Sequence, residues 1–110
     1  MQTRSQTLSQ RVSSCVSGFL ELLANITRVW EFKAQRMKAM YTFLIYVDKN
    51  ITMLEDVLEK IRPVWWSGLK EAVLRCQKNV EDQNAGMLEF LDKKERKEFV
   101  RLIYKIAKKI

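Results

Sequence analysis

The chain has no histidine among its 110 residues. That removes the usual acid–base group at neutral pH and the commonest metal ligand. Its two cysteines, Cys15 and Cys76, are too far apart in sequence for a zinc motif and too few for a disulfide framework. Each lies among apolar neighbours at helical spacing, which reads as a buried, reduced thiol. A bridge between them would need their two helices side by side. No glycine-rich phosphate loop occurs. The carboxylate pairs Glu55/Glu59, Asp56/Glu59 and Glu81/Asp82 read as solvent-face charges, as with Lys60 four residues after Asp56. Carboxylate-bridged metal bundles need inward Glu-x-x-His motifs, which this chain cannot supply. The expectation is therefore a non-enzymatic protein with no catalytic residue, no metal site and no cofactor.

One proline and three glycines are little punctuation, and favour long helices over many short strands. No apolar run approaches the length of a membrane span without a charge. The most apolar window, Met37–Val47, is short and carries Lys38. No uninterrupted apolar core follows the N-terminal charges, so no secretory signal is read. Residues 1–20 contain no acid, carry Arg4 and Arg11 and are rich in serine, a composition that overlaps mitochondrial transit peptides. Their apolar positions Leu8, Val12, Cys15, Val16 and Phe19 equally continue the pattern that follows. An intracellular, cytoplasmic location is expected.

What the chain does have is a stripe. Phe19, Leu23, Ile26, Trp30, Ala34, Met37, Tyr41, Leu44, Val47, Ile51, Leu54, Leu58, Ile61 and Trp65 follow one another by threes and fours. The mean step is close to the coiled-coil period, so helices packing on helices are expected, with gentle left-handed supercoiling. One helix is read from about Ser5 to Val47. Gly18 is a tolerable weak point in it, at about 1 kcal/mol relative to alanine. A turn is read near 48–51, where Asp48-Lys49-Asn50 interrupts the stripe, although Ile51 keeps phase with Val47. Thr52 and Glu55 have capping-box spacing at the start of a second helix, about 52–84. Pro63 should kink or break that helix at 61–63. The polar stretch ending at Gly86 reads as its stop. Asp92 and Glu95 form a second capping box, opening a last helix over 93–110. The fold class is all-α: a single domain, 1–110, forming an elongated antiparallel bundle of three long helices. The alternative is a four-helix bundle in which the break at Pro63 is complete.

Trp66-Ser67-Gly68, in a largely helical chain of about a hundred residues, resembles a family of small secreted helical-hairpin proteins that carry Trp-x-Gly at the hairpin turn. The resemblance rests on those three residues, the length and the class. The chain departs from the family pattern. Its motif lies past the middle, its net charge is basic, and Tyr104 is followed four residues later by Lys108 rather than by an acid. From the residues themselves, a tryptophan pair after a proline reads as a core anchor.

Met37–Val47 is apolar almost all round, more than one neighbouring helix can cover. A helical interaction or scaffold subunit is the first functional expectation, packing with itself or with other helical chains. Its interface residues would be Trp30, Met37, Met40, Tyr41, Leu44, Val47, Trp65 and Trp66. The charge suggests two alternatives. The net charge is +7, and residues 93–110 alone carry eight Lys/Arg against Glu95 and Glu98. Lys94, Lys97, Arg101, Lys105, Lys108 and Lys109 flank an apolar face of Phe99, Leu102, Ile103, Ile106 and Ile110. Such a helix can dock on the body or lie on an anionic membrane. The cations, with Arg28–Lys38 around Trp30 and Phe32, could also serve nucleic acid. Trp30 falls on the packing stripe, which favours a core role for it.

Overall fold

The computed structural model describes the backbone of residues 7–82 and 86–110, and the side chains of 10–82, 86 and 88–110. Five helices follow in order: α1 (Thr7–Arg28), α2 (Lys33–Lys49), α3 (Ile51–Ile61), α4 (Pro63–Glu81) and α5 (Lys93–Lys109). A 3-10 turn, Gly86–Phe90, leads into α5. The expected positions Ser5 and Leu8 fall outside the described residues or side chains.

The elongated bundle of three long helices is not what forms. A helix from Ser5 to Val47 would run about 65 Å. Instead α1 stops after 22 residues, and the chain turns through Val29–Phe32 and folds back. The turn is closed by backbone bonds from Trp30 N–H to Thr27 C=O (3.3 Å) and Phe32 N–H to Val29 C=O (2.9 Å). Arg36 reinforces it, donating from Nη1 to the Trp30 carbonyl at 2.8 Å. No glycine or proline marks this break, and Phe32 caps α2 without a side-chain bond. Folding back gives the α1 stripe something to pack on. The Cα radius of gyration is 15.1 Å, against about 30 Å for an unfolded chain of this size.

The other breaks follow local chemistry. Asn50 ends α2: its backbone N–H and its side-chain amide both donate to the Tyr46 carbonyl, at 3.1 and 2.9 Å. Helix α3 begins at Ile51 with no side-chain cap, and the Thr52–Glu55 box does not form. Arg62 separates α3 from α4, and Pro63 takes the first position of α4, where its missing N–H costs nothing. The break at Pro63 is thus complete. The Asp92–Glu95 capping box is made in both directions, at 2.8 and 3.1 Å. Helix α4 ends at Glu81, before Gly86, which opens the 3-10 turn instead. The near-3.5 mean step is therefore a property of four separate segments rather than of one supercoiled helix.

Helix α2 is the hub. Helices α1, α3 and α5 and the 3-10 turn all pack on it, while α4 lies over α3 and α5. Antiparallel α1 and α2 are tied at one end by Tyr46, whose hydroxyl donates to the Cys15 carbonyl at 2.6 Å. Midway, the Phe19 and Phe43 rings meet at 5.5 Å. Helices α2 and α5 run parallel, since Lys38 pairs with Glu95 at 3.0 Å and, ten residues on in each helix, Asp48 pairs with Lys105 at 3.1 Å. The core between them holds Phe19, Met37, Val47, Leu54, Leu58, Leu91, Leu102, Ile103 and Ile106.

Candidate functional site

The residues expected at an interface separate into three groups. Met37, Leu44, Val47 and Trp66 are buried in the chain's own core. Met40 and Tyr41 are half-buried. Trp30 and Trp65 are exposed, by 55% and 37%. The apolar girth of Met37–Val47 is covered by four elements of the same chain, so it does not require a second subunit. Trp30 is not a core residue. It lies at the break between α1 and α2, where the stripe loses phase. The Trp66-Ser67-Gly68 tripeptide lies inside α4 and marks no hairpin turn.

Two surface features stand out. The first is a groove of about 210 Å³ bounded by α1, α2 and α4. Leu23, Ile26 and Trp30 form one wall, Leu69, Ala72 and Cys76 the other, and Met40 and Phe43 contribute from α2. Every side chain lining it is apolar or a thiol. Periodicity marks Leu69, Ala72, Val73, Cys76 and Val80 as one apolar stripe, but only the fold brings its Ala72 and Cys76 opposite α1.

The second feature is the corner where α1 turns into α2. Trp30 and Phe32 are both more than half exposed there, Phe32 by 59%. The Arg36 guanidinium lies over the Trp30 ring, 4.7 Å from its centroid. The sequence signal was visible in the aromatics interleaved with Arg28, Lys33, Arg36 and Lys38, but the stripe assigned Trp30 to the core.

Helix α5 docks its apolar face on the body: Phe99, Leu102, Ile103 and Ile106 are buried. Insertion into a lipid interface through that face would pull these side chains out of the core. The cations Lys94, Lys97, Arg101, Lys105, Lys108 and Lys109 are exposed. Arg101 forks onto both oxygens of Glu98, at 2.8 and 2.7 Å. That donation holds the Glu98 carboxyl below its usual range and raises Arg101. Lys105 is engaged with Asp48.

Neither thiol is poised for chemistry. Burial pushes Cys15 up, with the Tyr46 hydrogen bond partly opposing it. Burial also pushes Cys76 up, opposed by nearby Arg75. Both are free thiols and stay protonated at neutral pH. An open space of about 610 Å³ between α1 and α3 is lined by mixed charges including Glu55, Asp56 and Glu59, with Asp56 paired to Lys60 at 3.1 Å. Among the described residues, no three Cys, Asp or Glu side chains are grouped to hold a metal ion, and no helix is long and apolar enough to cross a membrane. Comparison with protein-family models, curated proteins and solved structures finds no match to this chain.

Proposed function

We propose that this protein is a non-enzymatic helical interaction module, and that the groove of α1, α2 and α4 seats an amphipathic helix of a partner chain. One observation carries the reading: the groove has an entirely apolar lining, and Trp30, part of its wall, stands 55% in water. A helix laying its apolar face into such a groove is a recurring recognition mode. Partly exposed tryptophan is the residue type that most often dominates such interfaces.

Charge selects the kind of helix. Arg36 rides on Trp30, and Arg75 neighbours Cys76 on the opposite wall. The chain as a whole is +7. A second copy would bring like charges together, so an acidic partner helix is the better occupant. Of the expected interface residues, Trp30, Met40 and Leu44 line this groove, joined by Leu23, Ala72 and Cys76.

The test uses two labelled synthetic helices with the same leucine pattern, one with acidic flanks and one with basic flanks. The acidic peptide should raise its fluorescence anisotropy on titration with the protein. Ala72→Arg, at an exposed position of α4, should abolish the rise. Equal binding of both peptides, or of neither, would overturn the reading. Light scattering at two protein concentrations checks the other occupant: a dimer lost on Leu23→Asp would assign the groove to a second copy.

A further inference from the structure

We infer that the corner formed by the α1–α2 turn and the start of α5 binds single-stranded nucleic acid, with Trp30 and Phe32 as stacking surfaces and the surrounding lysines on the phosphates. This goes beyond the groove. It uses a different face of the molecule, shared at Trp30 and the Arg36 stacked on it.

The aromatics come first. Two large rings separated by one residue are both more than half exposed. Neither contributes to the buried core, and the turn that carries them is closed by its own backbone bonds. Trp30 is also held in place. Arg36 stacks on its ring and anchors its carbonyl. Arg36 covers one face of the Trp30 ring, and the rest of that exposed ring, together with Phe32, offers an unstacked base a surface to stack on, whichever base it is.

The cations come from two helices distant in sequence. Lys33 opens α2 and Lys93 opens α5. Because α2 and α5 run parallel, with Lys38 on Glu95, the first turns of both helices lie at the same end of the molecule. Arg28, at the end of α1, joins them through the turn. Lys93, Lys94 and Lys97 are exposed there, as is Lys33. Of the nearby acids, Asp92 and Glu95 are tied up in the capping box, Glu95 also faces Lys38, and Glu98, near Lys94, is forked by Arg101, which leaves Glu31 and Glu89 against the cations.

A duplex hides its base faces and would leave the two rings without a role, so a single strand is the better fit. A membrane surface would use the cations, but the apolar face of α5 is already spent in the core. An acidic peptide would use the cations without needing two aromatic faces.

The experiment measures anisotropy of end-labelled 12-mers, oligo-U, oligo-dT and a duplex, with the full chain at 50 and 200 mM salt. Both single strands should bind, more weakly at the higher salt, as counterion release requires. Phe32→Ala should weaken the single-strand affinity at least fivefold. Lys94→Gln and Lys97→Gln should each flatten the log–log salt slope by about 0.7. The ratio of oligo-U to oligo-dT affinity tells RNA from DNA as the natural strand. All three positions are on the surface, so circular dichroism should be unchanged. Tighter binding to the duplex, an affinity unaltered by Phe32→Ala, or no binding at 50 mM salt overturns the proposal. So does binding only to phosphatidylserine vesicles.

Discussion

The hydroxyl of Tyr46 sits 2.5 Å from the point where a Cβ on Gly18 would stand. The same hydroxyl donates to the Cys15 carbonyl at 2.6 Å, so α2 is pinned against α1 where the side chain is missing. From helix propensity alone, Gly18→Ala should stabilise the protein by about 1 kcal/mol. The ring is in the way, with its Cζ at 2.9 Å as well as its hydroxyl. Gly18→Ala should therefore lower the melting temperature. A rise would mean that Tyr46 swings away freely and pins nothing.

Tyr46 also gives a pH dependence. Burial, followed by the neighbouring Cys15 thiol, lifts its hydroxyl from the ordinary value of 10 to about 12. The folded state thus favours the protonated phenol more than the unfolded state does. Its contribution is fully present below pH 10 and disappears as the pH rises toward 12. Tyr41 and Tyr104 are raised too, each chiefly by burial. Titration of tyrosinate absorbance should show one of the three ionising last, and Tyr46→Phe should remove that step. Urea midpoints of the parent should fall between pH 10 and 12, and the fall should be shallower in Tyr46→Phe.

Asp48 and Lys105 test how α5 is fixed to the hub. Asp48 Oδ2 accepts from Lys105 at 3.1 Å, while its Oδ1 is buried with no hydrogen-bond partner among the described residues. Removing the lysine leaves a half-buried carboxylate without its counter-charge. Lys105→Ala should cost about 1 kcal/mol, held down by the exposure of the lysine to solvent. Adding Asp48→Ala should recover part of that loss, because the uncompensated charge goes with it. Urea denaturation of the two single variants and the double one gives the coupling. Additive losses would show that the pair contributes nothing of its own.

Leu58 and Ile61 lie one step apart on the sequence stripe, yet their environments are opposite. Leu58 is fully buried and Ile61 is 61% exposed, at the end of α3 beside the Arg62 break. Leu58→Ala should cost about 3 kcal/mol through lost burial and the cavity left behind. Ile61→Ala should stay within about 0.5 kcal/mol. Chemical denaturation of the two variants separates them, and similar losses would contradict this placement of α3.

Much of the fold was legible because it rests on local chemistry. Pro63 cannot continue a helix, Asn50 caps one, and the Asp92–Glu95 pair opens one; each acts within a turn of itself. The amphipathic face of α5 was equally plain, since its buried residues repeat at helical spacing. The candidate sites were less legible. Trp30 and Trp65 kept the period and so looked like core, but each stands next to a break, and a break swings the next helix out of phase. The turn at Val29–Phe32 carries no glycine, proline or side-chain cap, so no local signal announced it.

Local sequence alone makes this protein helical, leaves it without the residues for histidine-based or zinc-motif chemistry, and gathers its charge near one end of the chain. Composition, spacing and caps carry that information because each is a property of residues close together in the chain. Which neighbour covers each apolar face follows from long-range packing. Periodicity says that a face must be buried; it does not say by what. Here α1, α3, α5 and the 3-10 turn close over α2, and among the apolar surfaces left in water are a groove and an aromatic corner assembled from separate helices.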